Sequence, residues 1–386
     1  METAHKKGMS LSPNRGRPAR GALSTYPAAL RHLIYTLRDQ HEGWGAESIL
    51  VELEDEYGYT PDDLPDISSI NRYLHREGFM PKREPYGRKP PQERPNAKRP
   101  HDLWEMDAQG AELVDGLGHI AMINIKDVRS RVYCMAFPVL VKSGKSQPKT
   151  IHYCWALRLA FEQWGMPKNI QVDKDSVFID NTSKSPFPSR LHLFLMALGI
   201  ELHFIDVPPP KKQSIVERSH QTLERQALRG QSYPNWKALF QYTNKRRKKL
   251  NGRIRSNSLG KKAPLVAFPK AKHSGRAYQV QDEQQLINLK KVYSYIAKCT
   301  WFRKISKSKT LALGKKIYYL KNAIPETQVQ ITFCNRRKKL IFRDENELIL
   351  AILPIKGLHV EDISGGTTKE LKSFKKTLHK ATDFPL

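Results

Sequence analysis

The fifteen residues Ile215–Arg229 read IVERSHQTLERQALR, and the organisation of the whole chain turns on them. Ile215, Leu223 and Leu228, with Val216 and Ala227 beside them, have the spacing of one apolar face of an amphipathic helix. The run follows a proline stop at Pro208, Pro209 and Pro210, so a helix is expected from about Ser214. Glu217 then falls in the first turn, where the positive end of the helix dipole favours a carboxylate. The plain alternative for that residue is a helix cap.

Two further carboxylates bear on the choice. Leu103-Trp104-Glu105-Met106-Asp107-Ala108 reads as a short strand ending in Asp107, and Asn169-Ile170-Gln171-Val172-Asp173 as another ending in Asp173. Two such acids and a Glu brought within about 4 Å would repel by roughly 4 kcal/mol per pair at an effective dielectric of 20. A divalent cation removes that cost. Mg²⁺ or Mn²⁺ takes oxygen ligands, and a pair of them can hold the attacking and leaving oxygens of a phosphoryl transfer.

WEMDAQG around Asp107, VDKDSVF around Asp173 and SIVERSHQTL around Glu217 resemble the three signature blocks of the DDE transposases and retroviral-type integrases. Among these, the bacterial insertion-sequence transposases with an integrase core are the more similar. The resemblance covers Trp104 to Arg229 and is most specific in the third block. The second block departs from the usual Asp-Asn-Gly before Ser and Phe, since this chain has Asp173-Lys174-Asp175-Ser176-Val177-Phe178. Alignment on Phe178 makes Asp173 the catalytic match, with Asp175 left as a competitor. Asp173 and Glu217 are 44 residues apart, longer than is usual in the family, which an insertion around Asn181 to Arg190 would explain.

The resemblance implies an RNase H-like core in which Asp107, Asp173 and Glu217 hold two Mg²⁺ ions, with Mn²⁺ as a substitute. It implies a DNA transposase that cleaves at transposon ends and transfers the 3′-hydroxyl ends into target DNA. Arg218, His220 and Gln221 neighbour Glu217 and could contact DNA there. Implied partners are double-stranded DNA, both transposon ends and target, further copies of the chain as a dimer or tetramer, and optionally an ATPase accessory protein. The implied location is the bacterial cytoplasm, with the nucleoid. The rival readings are a catalytically inert DNA-binding regulator descended from such an enzyme and an RNase H-like nuclease that cuts without joining.

Composition agrees with a polyanionic partner. The chain has 386 residues, a net charge of +28 and a pI near 9.9, and clustered Lys and Arg gain free energy by releasing counterions from phosphates. Between Pro208 and Lys272 there are seventeen Lys or Arg against two Glu. Cys134, Cys154, Cys299 and Cys334 form no CxxC pair, so neither a zinc site nor a disulfide framework is suggested, and a reducing compartment is expected. No apolar run is long enough to span a bilayer, and METAHKKGMSLSPNRGRPARG at the start lacks the apolar core of a secretory signal.

The expected architecture is a multidomain α+β chain. Residues 1–24 form a flexible basic arm, and 25–80 a helix-turn-helix DNA-binding domain with helices at Pro27 to His41, Ala46 to Tyr57 and Ile67 to Glu77. In the third helix Ile67, Ile70 and Leu74 face the core, leaving Asn71, Arg72, His75 and Arg76 as groove contacts. A protein-interaction module is the alternative use of three small helices. Residues 81–100 are a basic proline-rich linker. The RNase H-like α/β catalytic core spans 101–272 with a basic C-terminal extension.

Within that core the expected order is three strands (Leu103 to Gln109, His119 to Lys126, Val132 to Val139), a helix from Thr150 to Trp164, a strand from Ile170 to Asp173, a helix from Leu191 to Leu198, and a strand from Glu201 to Ile205. Asp127 reads as turn chemistry, and His152, His192 and His203 as structural. Lys211, Lys212 and Arg218 are expected to contact DNA, and Lys245, Arg246, Arg247, Lys248 and Lys249 in NKRRKKLNGRIR to form a phosphate-binding stripe, for which a solvated helix face is the bland alternative. Residues 286–355 read as a small β-barrel and 356–386 as a basic tail.

Overall fold

The computed structural model describes residues 21–79, 97–144, 146–173, 178, 185–205 and 214–364. The expected arm up to residue 20, most of the proline-rich linker, Asp175, Lys211, Lys212 and the tail beyond 364 lie outside the described residues. Contacts divide the chain into two compact units, Met1–Lys89 with Arg229–Gln231, and Pro90–Leu228 with Ser232–Leu386. No described helix is long and apolar enough to cross a membrane.

The first unit is built on three helices, α1 (Ala28–Gln40), α2 (Ala46–Tyr57) and α3 (Ile67–Arg76). Leu30, Ile34 and Leu37 recur at helical spacing and are buried, as are Ile49 and Leu53 of α2 and Ile70, Tyr73 and Leu74 of α3. Gly58 ends α2 in the left-handed region at φ 72°, where a side chain would be strained. Asp66 caps α3 by accepting the amides of Ser68 (2.8 Å) and Ser69 (3.0 Å). The Ser68 and Ser69 hydroxyls and amides hold its carboxyl well below the usual range. Arg72, His75 and Arg76 lie exposed on α3, while Asn71 and Ile67 are half-buried.

In the second unit a five-stranded sheet has the order β3-β2-β1-β4-β5, with β1 (Leu103–Val114), β2 (Gly118–Asp127), β3 (Tyr133–Leu140), β4 (Asn169–Val172) and β5 (Glu201–Phe204). The first three strands pair antiparallel, whereas β4 lies parallel to both β1 and β5. Helix α4 (Thr150–Trp164) and helix α5 (Arg190–Ala197) contribute to an apolar core in which Trp104, Met106, Ile123, Leu157, Phe161 and Phe194 are fully buried. Helices α6 (Ser214–Leu223) and α7 (Trp236–Gly252) join a second cluster, in which Ile120 and Met122 of β2 meet Leu223, Leu228 and Leu239. The sheet is thus covered on both faces, as a mixed sheet in an α/β layer requires.

Strand β1 is longer than expected. Its ladder with β2 passes a bulge between Gln109 and Glu112 and continues to Val114 opposite Gly118, so Asp107 sits in mid-strand and not at a strand exit. Asp127 does what a turn acid does: its oxygens accept the amides of His101 and Ser130, both at 2.7 Å.

After helix α8 (Leu289–Ile296) come β6 (Thr300–Lys304), β7 (Thr310–Leu313), β8 (Lys316–Tyr319), β9 (Gln328–Cys334), β10 (Lys339–Arg343) and β11 (Ile349–Pro354). They form a four-stranded sheet β11-β10-β9-β6 and a separate β7-β8 hairpin; among the described residues no pairing closes them into one ring. Trp301, Ile331, Leu340 and Phe342 are buried in the same continuous core as Trp104. One buried ion pair belongs to this region too. Arg158 of α4 donates to Glu283 at 2.7 and 2.8 Å and to the Ser364 carbonyl, and the Tyr278 hydroxyl donates to the same carboxylate.

Candidate active site

Alternation along β1 turns Trp104 and Met106 into the core and sets Glu105, Asp107 and Gln109 together on the opposite face. Helix α6 crosses that face and meets it at regular intervals. The Val216 amide donates to Glu105 Oε2 at 2.8 Å, His220 Nε2 lies 3.8 Å from Asp107 Oδ2, and Gln109 Nε2 donates to Glu224 Oε2 at 3.2 Å. Two strand residues advance about 6.6 Å and four helical residues about 6 Å, so the two elements stay in step from Glu105 to Gln109. The helix then passes into a π-helical turn, Glu224–Leu228, whose Gln226, Ala227 and Leu228 are buried.

Glu217 follows Val216 and is exposed, its carboxyl raised by partial desolvation. Arg218 beside it is exposed, as is Gln221, while His220 turns inward to the strand. Burial depresses His220 to about 4, which leaves the ring neutral near pH 7. Its approach to Asp107 is therefore a packing contact and not an ion pair, since 3.8 Å also exceeds a hydrogen bond. Asp107 Oδ1 accepts the Ala108 amide at 2.8 Å.

Asp173 follows the last residue of β4. The parallel ladder keeps an offset of 66 residues, from Leu103 with Asn169 to Glu105 with Gln171, and the same offset carried two residues further reaches from Asp107 to Asp173. The paired register itself stops at Glu105 and Gln171. Among the described residues no three acids, histidines or cysteines come close enough to hold a metal ion. The donor chemistry of Asp107, Asp173 and Glu217, three carboxylates with hard oxygens, nonetheless suits Mg²⁺.

Three side chains at the junction of α6 and the sheet have places that the sequence does not reveal. Glu105 is fully buried, and burial, with a smaller contribution from the charge of Glu217, lifts its carboxyl to about 7. Its second oxygen, Oε1, has no hydrogen-bond partner. Asn124 pairs with Asp107 across the β1–β2 ladder and is buried with both side-chain polar atoms unpartnered. His220, expected toward DNA, is the third. The signal that could have found Glu105 is parity, because Glu105 and Asp107 are two apart and must share a face of the strand.

The basic run of α7 lies differently from the expected stripe. Arg246, Arg247 and Lys249 are buried, and only Lys245 and Lys248 of that group are exposed. Arg246 Nε donates to Gln226 Oε1 at 3.1 Å; Arg247 donates to the Tyr133 and Cys134 carbonyls at 2.9 and 3.0 Å and to Gln163 Oε1 at 2.6 Å. Their hydrogen-bonding capacity is directed into the fold, so they are not placed to reach a phosphate.

No family model matches the chain. Among solved structures it is similar to the catalytic core domain of BIV integrase, at 14% identity and a TM-score of 0.32 over 44% of this chain and 95% of that one. It is also similar to the HTLV-2 integrase catalytic core domain in complex with magnesium. The dimeric form of that domain matches at 15% identity and a TM-score of 0.33, over 44% of this chain and 97% of that one. The trimeric form gives 15% and 0.32, over 45% and 99%.

Proposed function

We propose that the chain is a DDE-type DNA transposase, cutting at transposon ends and joining the freed 3′-hydroxyl ends to target DNA. The observation that carries this reading is the packing of α6 on β1: the helix whose first turn holds Glu217 is hydrogen-bonded to the strand that holds Asp107, beside a parallel strand that leads to Asp173. These three carboxylates would hold two Mg²⁺ ions, or Mn²⁺. When bound, the ions would supply Lewis-acid stabilisation of charge at the reacting phosphate.

In this reading water first breaks a P–O bond at the transposon end and leaves a 3′-hydroxyl. That oxygen then forms a new P–O bond in target DNA as the target's own 3′-oxygen leaves and takes up a proton. The phosphodiester count is unchanged in the second step, so no energy source or covalent protein intermediate is required. Arg218, exposed beside Glu217, is suited to a backbone phosphate. The three helices of the first unit serve as a helix-turn-helix reader with Arg72, His75 and Arg76 toward the groove. The C-terminal strands serve as an accessory module for DNA or subunit contact, and processing of two ends calls for a dimer or tetramer.

A second reading is favoured by one observation: among the described residues the acids do not close into a metal-sized group. That reading is an inert DNA-binding regulator. Strand-transfer assays on labelled linear DNA with Mg²⁺, comparing the chain with Glu217→Gln, separate the alternatives. Joined products lost in the variant support the transposase. Cleavage without joining indicates a nuclease, and binding with neither reaction indicates the regulator.

A further inference from the structure

Helix α6 begins at Ser214, so the Val216 amide is one of the four helix-start donors that have no partner within the helix. A residue of a different element, Glu105 of β1, accepts it. The Glu105 carboxyl is fully buried; one oxygen goes to the helix, and the other has no hydrogen-bond partner. Its bond fixes the start of α6 along the strand. One turn later His220, buried against Asp107, fixes the rotation of the helix about its own axis. Glu217 lies in the turn between these two residues and is exposed to solvent.

We propose that Glu105 and His220 are positioning residues that set Glu217 against Asp107, Glu105 by gripping the Val216 amide and His220 by packing on the Asp107 carboxylate. The proposal rests on the reading of Asp107 and Glu217 as metal-holding acids. Neither residue touches metal or DNA in it; both act through the register of helix on strand.

The test compares the full chain with Glu105→Leu, which cannot accept a hydrogen bond, and Glu105→Gln, which can. Hydrogen exchange of the α6 amides reports the grip, and binding of Mn²⁺ alone, followed by the EPR signal of the free ion, reports the acids without relying on activity. In Glu105→Leu the start of α6 should lose protection and Mn²⁺ affinity should fall about tenfold or more, the size expected when a residue supporting metal ligands is removed. Glu105→Gln should restore both. His220→Ala should weaken Mn²⁺ binding while leaving the Val216 amide protected, because the two residues act on different turns.

A Glu105→Leu chain that keeps both α6 protection and Mn²⁺ affinity overturns the proposal alone. A Glu105→Gln chain that fails to rescue also overturns it, since a role in general stability or charge would then suffice. Should Glu105→Leu not fold, Glu105→Asp, whose carboxylate is withdrawn by one methylene, carries the same comparison and the same expectation. A wild-type chain that binds no Mn²⁺ overturns the metal reading, and this proposal with it.

Discussion

Helix α3 carries Arg72, His75 and Arg76 on its solvent face and buries Ile70, Tyr73 and Leu74, whereas α7 buries Arg246, Arg247 and Lys249 and leaves Lys245 and Lys248 outside. Both are basic segments, and by composition α7 is the denser. What separates them is phase. In α7 the positions Leu239, Thr243, Arg246 and Leu250 follow the alternating four- and three-residue spacing of a buried stripe, so Arg246 falls in line with the apolar residues. Charge density in a sequence reports how much charge there is; helical phase reports where it goes.

The largest expected effect tests the buried side of this contrast. Arg247→Ala removes the guanidinium's hydrogen bonds to the Tyr133 and Cys134 carbonyls and to Gln163 Oε1, while Asn251 Nδ2 still donates to the first carbonyl and Trp164 Nε1 to the second. At about 1.5–3 kcal/mol for a hydrogen bond to a charged group, loss of these bonds should lower stability by roughly 3 kcal/mol or more. Thermal or denaturant unfolding measures the loss, and DNA affinity of the folded fraction should stay unchanged. A normal unfolding midpoint with weakened DNA binding would reverse the assignment of α7.

A second effect concerns a cationic group buried without charge. Burial of His192, its ring edge-on to Phe204 and Tyr295, depresses it to about 4 from an ordinary 6.5. The unfolded chain therefore takes up a proton at this site below about pH 6.5 while the folded chain does not until near 4. The contribution is fully present above pH 6.5 and is lost as the pH falls toward 4, by up to roughly 3 kcal/mol. His192→Phe should flatten that part of the stability profile between pH 4 and 6.5, measured as the difference from wild type; parallel profiles would show that the ring is not buried neutral.

The exposed side of the contrast predicts smaller numbers and a different readout. Replacing both Arg72 and Arg76 by Ala should leave unfolding within about 0.5 kcal/mol of wild type. DNA affinity should fall by about tenfold, with a salt dependence shallower by roughly 0.9 for each phosphate no longer neutralised. Smallest of all, Lys248→Ala should cost about twofold in affinity and no stability. If the Lys248 change exceeded the α3 double substitution, α7 and not α3 would be the principal DNA-facing helix.

Much of the layer that carries the candidate site is legible in the sequence. Thr150–Trp164 is bounded correctly because Pro148 and Gly165 punctuate a continuous helical pattern, and α6 is placed at Ser214 by the prolines before it. The extension of β1 past Gln109 is not legible, since Gly110 and Glu112 argue against a strand and only the ladder with β2 holds them in one. Strand β6 escapes for a related reason: in Thr300–Lys304 only Trp301 is buried, so there is little alternation to read. Local pattern alone puts Asp107 on a strand and Glu217 in the first turn of a helix. That Glu105 holds the start of α6 cannot be read this way, because the bond joins residues 111 positions apart and depends on which strand lies beneath the helix.

The Arg158–Glu283 pair bears on how this protein can be dissected in the laboratory. A fragment stopped at residue 272, the natural choice from motif boundaries, would retain the guanidinium and discard its carboxylate, the Tyr278 hydroxyl and the Ser364 carbonyl. A lone cation would then be left inside α4's packing, a situation that commonly costs about 3–5 kcal/mol. Expression trials of the second unit should therefore carry the polypeptide through Ser364, and insolubility of shorter pieces would speak about the cut, not about the protein.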